Sequence, residues 1–424
     1  MVNNNLFIVL VPRKFIDFYW DFFQLNEFSK NTEIQVWDIS NIISPHFSAS
    51  IEANRLYREE IINIDSIIQF ISHCRALMKD NKGKKICILN EVGQSTLSGL
   101  LIGSILNFYL KSTDVKVFDQ FCGGVPISSP SQIVNNSSKN VFFRFYLRIY
   151  RLINNSTNIR EVTKKVFSHG FGSIGGLLPI ALTHRFVAGS IWHKFALQSI
   201  KSDTRVIFGH SHDYSNYLTA LKSPIIETRE RKKTAVLLDA AGPLFTSDYA
   251  LTKRKIFFTS EVWYPALTKF FDYLEKNTDV IVEIAGHYKS AHISPAPCFG
   301  NRNVIYALTR EMVQQSEYVI TRNSTAISYA VIYRKPVLFI SSNQLSLDAD
   351  NMQNTNIMAE LLGTTPVNID DFPDDMERYF NVDEAKYSAY ERKFLTSDPL
   401  GRSNAQIIME DIMGISEDQI ALSR

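Results

Sequence analysis

Between Glu317 and Ser341 the chain reads EYVITRNSTAISYAVIYRKPVLFIS, a complete βαβ step, and no other stretch narrows the choice of fold as far. The apolar run Tyr318–Ile320 stops at the polar Thr321-Arg322-Asn323-Ser324-Thr325. A helix-like stretch continues to Tyr333, and Lys335-Pro336 then introduces a second buried run, Val337–Ile340. Ser324 or Thr325 falls where the helix is expected to begin. A helix start gathers free N–H groups and the positive end of the dipole, so a phosphate or carboxylate suits it, and Arg322 adds a full charge. The same serine and threonine serve equally well as ordinary N-caps of a structural helix.

The pattern repeats along the chain. Short apolar runs alternate with helix-length segments, the layout of a parallel sheet with helices on both faces. In the first half strands are expected near Leu6–Val11, Ile34–Trp37, Lys85–Leu89, Val115–Phe118 and Val206–Phe208. In the second half they are expected near Ala235–Leu238, Val280–Ile284, Val304–Tyr306, Tyr318–Ile320 and Val337–Ile340. The charged stretch Glu227-Thr228-Arg229-Glu230-Arg231-Lys232-Lys233 lies between the two sets. The expected organisation is therefore one Rossmann-like domain over 1–226, a linker at 227–233, a second Rossmann-like domain over 234–382 and a helical C-terminal segment over 383–424.

Composition excludes several classes. With 424 residues the chain is long enough for two such domains, each with its own core. Hydrophobic residues make up 45% and charged residues 21%, a globular rather than a disordered balance. The net charge of +2 singles out no nucleic-acid partner. Cys74, Cys87, Cys122 and Cys298 form no CxxC pair, which argues against a zinc site or a disulfide framework and suits a reducing cytoplasm. The opening MVNNNLFIVLVPRKF lacks the basic start and length of a signal peptide, and the most apolar stretch, Leu97–Leu110, is broken by Ser98, Ser104 and Asn107.

The Glu317–Ser341 segment resembles the C-terminal-domain signature of bacterial GT-B glycosyltransferases that build surface polysaccharides, in which a Ser/Thr pair opens the helix that holds the donor phosphate. Upstream, DVIVEIAGHYKSAH (Asp279 to His292) is similar to a strand followed by an HP motif in the same enzymes, notably those using CMP-activated ulosonic acids. Here Tyr288 follows His287 where that motif has proline, and Lys289 supplies a cation where the family often has one. FGNRNVIYALTREMVQQSEYVI shares the layout, so the resemblance spans Ala235 to Ile340. It implies an α/β, GT-B-type architecture of two Rossmann-like domains facing across a cleft, with a C-terminal helix that often crosses back onto the first domain. It also implies a nucleotide-sugar donor, a CMP-ulosonic acid ahead of a UDP-sugar, held by His287, Lys289, Arg322, Asn323, Ser324 and Thr325. A glycan acceptor, lipid-linked in many such pathways, completes the reaction with no metal or other cofactor. Other chemistries on the same fold stay open: a UDP-sugar 2-epimerase, a pyruvyl or glycerophosphate transferase, or a non-catalytic scaffold with a degenerate nucleotide site.

A sugar hydroxyl is a poor nucleophile, so an inverting transferase needs a positioned carboxylate or histidine to take its proton. Glu91 follows the Ile86–Leu89 run and fits that role, or that of a first-turn acid favoured by the helix dipole. Asp213 belongs to Phe208-Gly209-His210-Ser211-His212-Asp213-Tyr214, a second source of titratable groups after a strand. Its histidines have no further ligands at metal-site spacing. Asp239 opens Asp239-Ala240-Ala241-Gly242-Pro243, a turn whose Gly242 allows close backbone approach to a diphosphate or sugar, although Asp239 also suits a simple cap. His169–Gly176 contains a literal GxGxxG, but Lys164-Lys165 stands where the dinucleotide fingerprint needs a strand, so an acceptor-side loop is expected. Finally, Val141–Ile153 sets Arg144, Arg148 and Arg151 at helical spacing among aromatics, either a solvated basic face or peripheral contact with the anionic inner membrane.

Overall fold

The computed structural model describes residues 5–43, 58–81, 83–92, 97–110, 114–122, 182–192, 203–221, 232–240, 242–244, 257–287, 290 and 297–416. The described residues form two compact α/β units: one of 5–122, 182–209 and 400–416, the other of 210–399.

The sheet of the first unit is built from β1 (Asn5–Val11), β2 (Glu33–Asp38), β3 (Ile61–Asn63), β4 (Lys85–Asn90), β5 (Lys116–Phe121), β6 (His184–Ala188) and β7 (Arg205–Gly209). Its order is β3-β2-β1-β4-β5-β6-β7, every pair parallel. That is the doubly wound order of nucleotide-binding folds, with β1 starting at the centre and the winding reversing between β1 and β4. Because successive strand side chains point to opposite faces, β1 splits its apolar run in two. Phe7, Val9 and Val11 enter one core with Cys87 and Leu89, while Leu6, Ile8 and Leu10 enter the other with Ile86 and Ile88. The helices Ile67–Asp80 and Leu97–Leu110 cover the second face through Phe70, Leu77, Ile102 and Leu106. The first face is closed by residues 17–28 and by the last described segment, whose Ala405, Ile407, Ile408, Met409 and Ile412 are buried against it.

The second unit repeats the winding. Its strands are β8 (Thr234–Leu238), β9 (Ile281–Ala285), β10 (Val304–Ile305), β11 (Tyr318–Thr321), β12 (Val337–Ser341) and β13 (Val367–Asn368). They lie in the order β10-β9-β8-β11-β12-β13, again all parallel, so the reversal falls between β8 and β11. The helix Ser260–Thr278 seals one face by inserting Trp263, Tyr264, Leu267, Phe270, Phe271 and Leu274 against Ala235, Leu237 and Ile284. Thr309–Gln315 packs at β8 and Ile327–Ile332 at β11.

Every strand expected from the sequence overlaps a strand of the structure, and three strands were not expected. β3 and β13 are edge strands of three and two residues, too short for a pattern. β6 lies inside its sheet but opens with His184 and Arg185, which breaks the apolar run. No described helix is long and apolar enough to cross a membrane.

Candidate functional site

In open α/β sheets ligands bind beyond the carboxyl ends of the strands, where the winding reverses. In the second unit that place is bounded by the ends of β8 and β11, where Leu238 and Thr321 are register partners and the next residues are Asp239 and Arg322. Arg322 is only 7% exposed, and its guanidinium lies over the Phe258 ring at 4.9 Å. Its Nε donates to Asn323 Oδ1 at 3.3 Å, whereas buried Nη1 has no hydrogen-bond partner among the described residues. The Tyr264 hydroxyl, brought in by the helix Ser260–Thr278, is likewise buried and unpartnered. Burial and then the Asp239 charge push the Tyr264 phenol up, with Arg322 opposing, so the hydroxyl stays a donor at neutral pH. Gly242, at φ 44°, runs its backbone beside this hydroxyl; a Cβ there would meet Tyr264 Oη at 2.9 Å. A buried donor left without an acceptor costs about 1–3 kcal/mol, and more when charged. An anionic oxygen that accepts from Arg322 Nη1 would remove that cost.

Asp239 is engaged in shaping this place. Its Oδ2 accepts from Ser290 Oγ at 3.1 Å and from the His287 N–H at 3.4 Å, which fastens the turn after β9. His287 is partly buried and Ser290 N–H donates to its carbonyl at 2.7 Å, closing the turn. Tyr306, after β10, has its phenol pushed up by burial and then by the same carboxylate, so it too belongs to the cluster. Asp239, Gly242, His287 and Arg322 thus come together, joined by Tyr264, Phe258, Ser290 and Tyr306, which sequence reading passed over. Tyr264 gives no sequence signal of its own, because beside Trp263 in an amphipathic helix it reads as core. Lys289 lies outside the described residues, as do Arg144, Arg148, Arg151 and the His169–Gly176 stretch.

The Asn323–Thr325 turn is built differently from the expected helix start. The helix begins at Ile327 and has six residues, with Ala326 as an N-cap that makes no side-chain cap. Ser324 Oγ accepts from Ala326 N–H at 3.3 Å and Thr321 Oγ1 accepts from Ser324 N–H at 3.2 Å. These local bonds compete with helix, and the helix starts two to three residues later than expected, at Ile327. Ser324 is partly buried and Thr325 exposed, so the turn is open to solvent, but the N–H groups of Ser324 and of the following Ala326 are already satisfied. Arg322, rather than the serine and threonine pair, carries the unmet hydrogen-bonding capacity.

Asp213 joins the far side of the same turn. It sits in the first turn of the helix His212–Ala220, capped by Ser211, and accepts hydrogen bonds from Ser328 and Tyr329. Burial raises its carboxyl to about 6 against those two bonds. Ser328 Oγ also lies 3.0 Å from the Thr325 carbonyl, so its single proton is shared between that oxygen and Asp213, which links Asp213 to the turn.

In the first unit the reversal falls between β1 and β4, and Glu91 occupies it. Its N–H donates to the Leu10 carbonyl at 3.0 Å, Arg13 Nη2 donates to Oε2 at 3.1 Å, and Gln120 Nε2 donates to Oε1 at 2.8 Å. Burial pushes the Glu91 carboxyl up, while Arg13 and Gln120 hold it down and Asp119 adds repulsion. Asp119 itself is clamped by Arg185, with Nε at 2.9 Å and Nη2 at 2.7 Å. The result is an acid oriented on both oxygens and biased toward holding a proton, suited to acid–base work.

No family model matches this chain, and no curated protein does. Among solved structures it is similar to the glycotransferase of kitacinnamycin, at 12% identity over 99% of this chain and 94% of that one, with a TM-score of 0.40. It is similar also to S. aureus MnaA in a structure with UDP, at 14% identity over 97% of each chain and a TM-score of 0.42. A third is Acinetobacter baumannii MurG, at 10% identity over 97% and 99% and a TM-score of 0.40. Similarity at this level carries no functional argument, and the fold assignment rests on the two strand orders.

Proposed function

We propose that the chain is a nucleotide-sugar-dependent glycosyltransferase of bacterial surface-polysaccharide synthesis that uses a CMP-linked ulosonic acid donor and needs no metal. The observation that carries this reading is Arg322, a buried guanidinium at the winding reversal of the second sheet whose Nη1, like the nearby Tyr264 hydroxyl, has no hydrogen-bond partner among the described residues. A leaving nucleotide phosphate gains negative charge as the glycosidic bond breaks. A fixed cation and a fixed hydroxyl dipole in a dry place stabilise that charge more than water does. In this reading Arg322 and Tyr264 receive the phosphate oxygens, Asp239 holds the His287 turn in position, and Gly242 lets the backbone approach the donor. Glu91 takes the proton of the acceptor hydroxyl. The motif resemblance between Ala235 and Ile340 supports the donor class.

The test is thermal unfolding with CMP, CDP, UDP, GDP and NAD, on the natural chain and on Arg322→Met, which keeps the apolar stem and removes the charge. A nucleotide present at a hundred times its dissociation constant adds about 2.7 kcal/mol. CMP is expected to stabilise the natural chain most. Arg322→Met is expected to melt no lower without ligand, because the variant sheds an unpaired buried charge, and to lose the CMP response. Transfer from a CMP-sugar should persist in excess EDTA. A response to NAD alone, or turnover of UDP-GlcNAc without any acceptor, would replace this reading with a redox or epimerase activity.

A further inference from the structure

The first unit carries a cavity at the amino end of its sheet, where β4 and β5 begin, the end opposite that of Glu91. Its volume is about 440 Å³, within the range of small-molecule sites. Its apolar lining is Leu77 and Met78 from the helix Ile67–Asp80 and Ile86 and Val115 from the strand starts, all of one core, with Met413 of the returning C-terminal segment from the other. Its charged lining is cationic, with Lys84, Lys85 and Lys116 against the single lining carboxylate of Asp114.

The three lysines are differently committed. Lys84 pairs with Glu33 at 2.7 Å, and Lys85 donates to the Gly414 carbonyl at 2.8 Å. An ammonium has three N–H groups, so Lys85 retains donors after that bond. Lys116 is partly buried and makes no hydrogen bond or ion pair with any described residue. Its charge acts instead on two buried neighbours, His184 and Cys87. Burial first, then the Lys116 and Arg205 charges, lower His184 to about 4, so the imidazole is neutral at pH 7 and offers no competing charge. An ammonium that makes no ion pair, in a cavity lined by both lysines and apolar side chains, is a recognition element for an anion that also has an apolar part.

We propose that this cavity is a second ligand site for an amphiphile bearing one phosphate or carboxylate, with the head against Lys116 and Lys85 and the apolar body against Leu77, Met78, Ile86, Val115 and Met413. Such a ligand also fastens Met413 and Gly414, and with them the C-terminal segment, to the starts of β4 and β5. The site is independent of the proposed transfer reaction and is tested without it.

Isothermal titration of the full chain with decyl phosphate below its micelle concentration tests the site. Inorganic phosphate and decyl maltoside separate head from tail, and Lys116→Ala and Lys116→Arg separate charge from packing. The expected result is saturable binding of decyl phosphate, weakened about tenfold or more in Lys116→Ala and retained in Lys116→Arg, with inorganic phosphate and decyl maltoside each at least tenfold weaker. Thermal unfolding of both variants, expected within a degree or two of the natural chain, separates lost binding from lost fold. Binding of decyl maltoside as tight as that of decyl phosphate, or unchanged binding in Lys116→Ala, would overturn the proposal.

Discussion

Asp213 and Arg322 show what burial does to charged residues that sit near one turn. The Asp213 carboxyl is raised to about 6 from its ordinary 3.8, chiefly by burial, so folding favours the protonated acid. The stability it contributes is full below pH 3.8 and is lost as the pH rises through 6. Asp213→Asn removes the charge and keeps a polar group of the same shape. The variant is expected to melt above the natural chain at pH 7 to 8, and the difference should close below pH 4; thermal unfolding across that range measures it. Arg322 has the opposite problem, since a guanidinium cannot shed its proton and must find an acceptor. It was visible in the sequence because an arginine directly after a buried strand is conspicuous. Tyr264 was not, because its hydroxyl matters only through the residues that a distant strand end places around it.

Elements follow the sequence where a run is long and fail to show where polar side chains serve another strand. The βαβ step from Tyr318 to Ser341 was legible, including Lys335-Pro336 before β12. The helix within it starts at Ile327, two to three residues beyond Ser324 and Thr325, because the Ser324 and Thr321 hydroxyls take N–H groups that a helix start would leave open. In β6, Arg185 interrupts the apolar run for a reason that lies on β5, where it clamps Asp119. The next residue, Phe186, is fully buried and its ring lies over Gly209 at the end of β7. A Cβ at Gly209 would come within 2.1 Å of Phe186 Cζ and 3.0 Å of Asn404 Oδ1. Gly209→Ala is therefore expected to destabilise the first unit by about 1–3 kcal/mol, the range for overpacked cores, read as a lower urea midpoint at unchanged slope.

At the scale of the whole chain, two sheets share one winding order, and the first unit takes its last cover from the end of the sequence. Ala405, Ile407, Ile408, Met409 and Ile412 bury on the face formed by Phe7, Val9 and Val11. A fully buried aliphatic side chain contributes about 1.5–3 kcal/mol, so this segment supports a large part of a typical domain's net stability. A chain ending at Pro399 is expected to lose protection at the β1 amides, and hydrogen exchange should find them opening far faster than the β8 amides of the second unit. Taken alone, the sequence determined the α/β class, most of the strands and the charged residues that follow them, because strand periodicity and helix punctuation are local properties of a chain. Only the tertiary structure decided that Arg322 is left with an open Nη1, that Tyr264 meets it, and that Lys116 lines a cavity without a counter-ion. Those are properties of burial and of partners distant in sequence, and no local pattern encodes them.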